Sequence, residues 1–199
     1  FKDLNWDTHG STIANLEADS PRHLVVMPRG TFKSSLGSVA WPIWLLIRNP
    51  NLRILLDSEL YSNSKNFLRE IKGHLMRPDF EEIFGQFYNP GCWNEGEIII
   101  KQRTEVRKEA SITCSGIGAQ KTGQHYDVII GDDLNSPKNS HTPENRQKVI
   151  DHYRMYTSLL EPNGTIALIG TRYAENDCIG FVLATEVFPQ EEIQSHGLL

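Results

Sequence analysis

At 199 residues, with 39% hydrophobic and 23% charged side chains, the chain can bury one substantial core and lacks the bias of a disordered or fibrous protein. A net charge of −5 excludes a wholly basic, nucleic-acid-coating surface, though not a local basic loop. Cys92, Cys114 and Cys178 sit far apart with no C-x-x-C pair, which fits a reduced, intracellular protein better than a disulfide scaffold or a zinc site.

Residues 23–27 read as an apolar strand ending at Pro28, followed by a helix over 34–48 that Pro42 is expected to kink or end early. This region also holds the longest apolar stretch, 39–47, which is too short to span a bilayer, so no membrane association is expected. A second strand over 52–57 is entered from Asn49-Pro50-Asn51. The helix after it, 62–76, carries Phe67, Ile71 and Leu75 along one face. Residues 77–97 read as an irregular excursion, 97–101 and 111–114 as short strands, and 116–123 as a flexible loop. A fifth strand, 127–131, precedes a helix over 142–160 opened by Thr142 as cap and Pro143 in the first helical position. The turn Pro162-Asn163-Gly164 then leads into a sixth strand, 165–170. Strands apolar at consecutive positions and alternating with helices predict an α/β fold with a mainly parallel central sheet flanked by helices.

The first strand runs into Pro28-Arg29-Gly30-Thr31-Phe32-Lys33-Ser34-Ser35, where the second helix begins. A strand, a tight loop and a helix N-terminus together make a phosphate cradle, because successive backbone N–H groups and the helix dipole favour an anion there. Lys33 stands where a lysine reaches the β- and γ-phosphates of ATP, and Ser34 where a hydroxyl takes Mg²⁺. The pattern G-x-x-x-x-G-K-[ST] would place glycines at Met27 and Phe32, so this phosphate loop is glycine-poor. The fifth strand delivers Asp132 and Asp133 at its carboxyl edge, where open α/β sheets bind ligands. Asp132 is assigned to the metal shared with Ser34, and Asp133, a shorter arm than the usual Glu, to the attacking water. At the end of the sixth strand, Thr171 of Gly170-Thr171-Arg172 either senses the γ-phosphate or satisfies a loop amide.

Together these motifs resemble the ATPase domain of the large terminase subunit of tailed bacteriophages, from about Leu24 to about Gly180. Arg29 just after the first strand, Thr122-Gly123-Gln124-His125-Tyr126-Asp127 before the acidic strand, and Gly170-Thr171-Arg172 carry the likeness. The resemblance implies a P-loop NTPase of the ASCE, RecA-like kind that hydrolyses ATP with Mg²⁺ to drive double-stranded DNA into a procapsid. It further implies a homo-oligomeric ring in the host cytoplasm, docking on the portal and working with a small terminase subunit. In it Arg29 would contact the γ-phosphate and Thr171 and Arg172 would couple hydrolysis to motion. An arginine that completes a neighbour's site stands, in some members, where this chain has Thr122; Lys121, Arg103 and Arg107 are the candidates to replace it. Residues 1–199 read as this one domain, with a lid or linker portion from about 175 to 199. No later carboxylate cluster stands for the family's nuclease domain, and the start at Phe1 reads as a partial chain. A different translocase or helicase of the same class, and a nucleotide-binding assembly module with little hydrolysis, are the alternatives.

The basic line Lys65, Arg69 and Lys72 reads as a solvated helix face. Lys101, Arg103, Arg107 and Lys108 form the densest basic patch, a candidate DNA or intersubunit contact. His125 is read as fixing its loop, Trp41 and Trp44 as core, and aromatics near Trp6 as bordering the adenine. His9, His74, His141, His152 and His196 show no metal-ligand spacing.

Overall fold

A computed structural model describes residues 4–119 and 121–187. Helix α1 (Trp6–Glu17) precedes β1 (Arg22–Val26), a π-helical segment (Ser35–Ala40), α2 (Trp41–Arg48), β2 (Ile54–Ser58), α3 (Tyr61–Leu75) and α4 (Pro78–Phe84). Then come β3 (Glu97–Ile98), β4 (Ile112–Cys114), β5 (Tyr126–Asp132), α5 (Pro137–Ser140), α6 (Pro143–Leu159), β6 (Leu160–Gly170), α7 (Cys178–Val182) and a last π-helical segment (Leu183–Val187). The six strands form one sheet in the order β1-β6-β5-β2-β4-β3, parallel except where β3 meets β4.

Alternation along the strands divides the core. Ile54 and Leu56 of β2, Val128 and Ile130 of β5, and Ala167 and Ile169 of β6 pack with α2 and with Leu68, Ile71 and Leu75 of α3. Leu55, Ile129, Ile166 and Leu168 turn to the other face, against Val149, Tyr153 and Tyr156 of α6 and Cys178, Ile179 and Val182 of α7. Both faces are covered, which is why these strands are apolar at every position. Of the candidate lid, Cys178, Ile179 and Val182 join this core while residues 184–187 are exposed, and residues beyond 187 lie outside the described set.

Several expected elements differ. The strand expected over 97–101 shrinks to Glu97–Ile98 at the antiparallel edge. Helices α1, α4, α5 and α7 arise outside the expected ones: α4 lies within the 77–97 excursion, and α1 is capped by the Asn5 side chain accepting the Thr8 N–H at 2.8 Å. Pro42 does not end its helix. The Trp41 N–H bonds the Leu36 carbonyl five residues back, and Pro42 then sits in the first turn of α2. The widened turn keeps the proline ring clear of the carbonyl four residues before it. The Pro162-Asn163-Gly164 turn is a bulge inside β6, with Asn163 at φ 69° and a register shift against β5.

Candidate active site

Register brings four strand ends to one edge. Val26 of β1 pairs with Gly170 of β6, Asp132 of β5 pairs with Ile169, and Ser58 of β2 pairs with Asp132. The candidate phosphate loop, residues 28–35, leaves β1 there. Gly30 (φ 79°) and Phe32 (φ 57°) both adopt the left-handed region. Phe32 stands where the common pattern has its second glycine, so the backbone keeps the glycine conformation at a cost of about 1–2 kcal/mol. An edge contact of its ring with His9, 5.9 Å between centroids, helps hold it. The Thr31 hydroxyl donates to the Pro28 carbonyl (2.8 Å), closing the loop on itself.

The loop and the acidic strand end meet through side chains. Lys33, 6% exposed, donates from Nζ to Asp133 Oδ2 at 3.3 Å. The Ser34 hydroxyl donates to Asp132 Oδ1 at 3.0 Å, and the Ser38 hydroxyl donates to Asp132 Oδ2. Lys33, Ser34, Asp132 and Asp133, nearly a hundred residues apart in sequence, therefore form one cluster. Two buried polar atoms beside it lack partners, Asp133 Oδ1 and the Ser58 hydroxyl. Among the described residues no three His, Cys, Asp or Glu side chains could cage a metal. An all-oxygen set of one or two carboxylates, a hydroxyl and unpaired oxygens suits Mg²⁺, which relies on waters and substrate phosphates for its remaining ligands.

Asp132 is 1% exposed, and burial pushes its carboxyl up to about 6. The Ser38 and Ser34 hydrogen bonds and the Lys33 charge oppose this, while the Asp133 charge adds to it. A carboxyl raised above its ordinary 3.8 binds its proton more tightly in the folded state. The contribution to stability is full below about pH 4 and is lost as pH rises through about 6. At neutral pH the ionised Asp132 is a net cost to the ligand-free fold. Asp132→Asn is expected to raise ligand-free stability by about 1–3 kcal/mol at pH 7 and to do little near pH 4. Urea unfolding at both pH values checks this; an unchanged or lower midpoint at pH 7 would refute it.

The remaining expected residues are less centred. Arg29 is exposed, donating from Nε to the Tyr173 hydroxyl at 3.0 Å with its guanidinium 5.8 Å from that ring. The Thr171 hydroxyl donates to the Met27 carbonyl (3.0 Å), tying the β6 end to the start of the phosphate loop. Arg172 bonds the Ala174 and Glu175 carbonyls of its own loop. Arg103 donates to the Glu105 and Glu109 carbonyls, and Arg107 pairs with Glu105. Arg107 lines a cleft with Arg53 and Asp127 at the opposite edge of the sheet, so within one chain it is far from the phosphate loop. Lys121 is half-buried in the loop before β5, where Lys108 donates to Gly123 O (2.9 Å). His125 fixes its loop through its backbone, whose N–H bonds Glu109. Trp6 is exposed.

Sequence reasoning did not single out Ser38, though its spacing of four from Ser34 puts both on one helix face. Nor did it pair Asp57 with His152. Asp57 lies in β2 on the α6 side, and its Oδ2 meets His152 Nε2 at 2.6 Å and accepts from the Tyr156 hydroxyl at 3.0 Å. Burial first, then the Asp57 charge, raises the Tyr156 hydroxyl well above its ordinary pKa. Tyr156 also packs on Gly131, where an added Cβ would lie 2.9 Å from its oxygen. This network clamps α6 to the strand ends next to Asp132.

No family model matches the chain. Among curated proteins it matches the large subunit of terminase from Enterobacteria phage T3, with 28% identity over 164 residues. The match takes in 79% of this chain and 27% of the phage protein, so the chain spans about a quarter of that relative's length. With an α/β sheet whose strand ends gather a lysine, two serines and two aspartates, this chain is similar to the large subunit of a phage terminase.

Proposed function

We propose that this chain is the ATPase domain of a DNA-packaging motor, a P-loop NTPase that hydrolyses ATP with Mg²⁺ at the Lys33–Asp132 edge. The observation that carries this reading is the pairing of loop and strand: Ser34 on Asp132 and Lys33 on Asp133, at the carboxyl ends of β1 and β5, the two parallel strands on either side of β6. The similarity to a terminase large subunit supports it.

In this reading the loop amides of residues 29–35 and Lys33 hold the triphosphate. Ser34 and Asp132 hold Mg²⁺, which when bound offsets charge developing on the phosphate oxygens. Lys33 exchanges Asp133 for phosphate, and the released Asp133 carboxylate accepts a hydrogen bond from water and orients it on the γ-phosphorus. Attack breaks the bond to the β-phosphate bridging oxygen, and the water proton passes to Asp133 or to the departing phosphate. Thr171, bonded to the loop's first carbonyl, and Arg172 in the adjoining turn carry the change toward α7. Arg29 swings from Tyr173 to the γ-phosphate, and a basic side chain of a neighbouring subunit (Lys121, Arg103 or Arg107) completes the site in a ring. Double-stranded DNA, the portal and a small terminase subunit are the partners, in the host cytoplasm on a procapsid. Among the described residues no helix is long and apolar enough to cross a membrane.

The deciding experiment is Asp133→Ala. Hydrolysis is expected to fall about 10²-fold or more, while Mg·ATPγS still raises the melting temperature. Undiminished hydrolysis removes Asp133 from its role, and loss of both properties reassigns it to binding. Tight ATP binding without turnover in the wild type, at ring-forming concentration, would favour the assembly-module alternative.

A further inference from the structure

We infer that Ser38 is a positioning residue, fixing the Asp132 carboxylate so that one oxygen remains beside Ser34 for a divalent cation. The inference rests on the phosphate-loop reading above and adds to it a residue outside the loop.

A buried serine inside a helix ordinarily returns its hydroxyl to a carbonyl of its own helix, one turn back. Ser38 does not. It is fully buried, yet its hydroxyl leaves the helix and bonds Asp132 Oδ2 on β5. Two local features bring it there. Gly37 faces Ile169 of β6 so closely that an added Cβ would collide with the isoleucine side chain, so the missing side chain lets the segment settle on the sheet. The segment is also π-helical over Ser35–Ala40, widening the turn that carries Ser34 and Ser38 toward one carboxylate.

The consequence is a division between the two oxygens. Ser38, one turn deeper in the helix, takes Oδ2, while Ser34, at the loop, takes Oδ1. Rotation about the last side-chain torsion of an aspartate is soft and nearly two-fold. Without Ser38 the carboxylate is free to turn and present either oxygen, or to share Ser34 between them. Groups that hold a metal ligand in this way typically carry a 10- to 100-fold effect on metal affinity.

The test is a Mg²⁺ titration of the whole chain at fixed, saturating ATPγS, read as melting temperature, for wild type, Ser38→Ala and Ser38→Cys. In Ser38→Ala the Mg²⁺ concentration at half-effect is expected to rise about tenfold or more, with the same plateau. Its response to nucleotide in EDTA should match wild type. Ser38→Cys retains the shape but donates weakly, so its midpoint should lie between the two. A purely structural role would lower every melting temperature together and leave the Mg²⁺ midpoint in place; that result overturns the inference. If Ser38→Ala does not fold, the Ser38→Cys midpoint decides alone, an unshifted value counting against Ser38. A wild type that responds to Mg·ATPγS beside unshifted variants refutes only Ser38. A wild type that never responds refutes the phosphate-loop reading, and Ser38's role with it.

Discussion

Lys33→Ala is expected to abolish the thermal stabilisation that Mg·ATPγS gives the wild type and to lower ATP hydrolysis by about 10²-fold or more. A ligand that binds only the folded state adds about 2.7 kcal/mol at a hundredfold excess over its dissociation constant. For a domain of this size that is a rise in melting temperature of roughly 5–11 °C. Lys33 is the cation of the loop nearest the strand carboxylates, almost wholly buried and aimed at Asp133. Asp133, by contrast, has a side chain 41% exposed, so the ion pair itself is solvent-screened and its loss should shift the ligand-free melting temperature little. The expected signature is therefore a mutant that melts like wild type without nucleotide and fails to respond to it. A mutant that keeps the full Mg·ATPγS response would show that the phosphates bind elsewhere.

Arg53→Met is expected to have the largest effect on stability, about 3–5 kcal/mol, or roughly 6–20 °C in melting temperature. Arg53 opens β2 at the edge of the sheet away from the phosphate loop and gathers three carboxylates. It bonds Asp127 through Nε (3.0 Å) and Nη2 (2.8 Å), Glu161 through Nη2 (2.9 Å), and reaches Glu109 at 3.6 Å. Hydrogen bonds to Asp127, above all, raise the arginine's pKa. Burial alone would raise Glu109, but the His125 N–H and Arg53 outweigh it and hold that carboxyl below its usual range. Methionine fills similar space with no charge, leaving buried Glu109 facing two like charges. The deficit should shrink as pH falls toward and below 4.5, the ordinary glutamate value, as Glu109 takes up a proton. Urea unfolding at pH 7 and pH 4.5 measures both. A loss below about 1 kcal/mol would mean that solvent screens the cluster. Nucleotide binding should survive in Arg53→Met, because the cluster and the phosphate loop lie at opposite ends of the strands.

What could be read from the residues was what local chemistry determines. β1, β2, β5 and β6 are apolar at successive positions because both sheet faces are covered, and Thr142-Pro143 marks the start of α6 by capping chemistry alone. Lys33-Ser34 stood out because it opens the helix after β1, and Asp132-Asp133 because it closes the apolar run of β5. The parts that were not legible depend on distant partners. Asp57 and His152 are 95 residues apart, and nothing near either announces the other. Arg53 reads locally as one polar residue in an apolar run; its three carboxylates come from elsewhere in the chain. Phe32 conceals a glycine-like backbone because the conformation is imposed by the loop closing on Thr31 and the helix start, at a cost the residue type would argue against. Pro42 does not end its helix because a π-turn just before it absorbs the missing N–H. Arg29 was expected to face phosphate; here it bonds Tyr173, 144 residues later, and nothing near Arg29 announces that partner.

β1 has one further property that follows from its place in the sheet. Among the described residues it is bonded along one side only, to β6, whereas β5 lies between β6 and β2. Fewer ladder bonds must break to free β1 than to free β5, so β1, like the two-residue β3 at the other edge, is expected to open before the centre of the sheet. On the proposed function, a nucleotide held by the loop after β1 is expected to oppose fraying of that edge. Hydrogen exchange is the measurement that checks this: on the proposed function, Mg·ATPγS is expected to slow the β1 amides, with those of the central β5 slowest in either state.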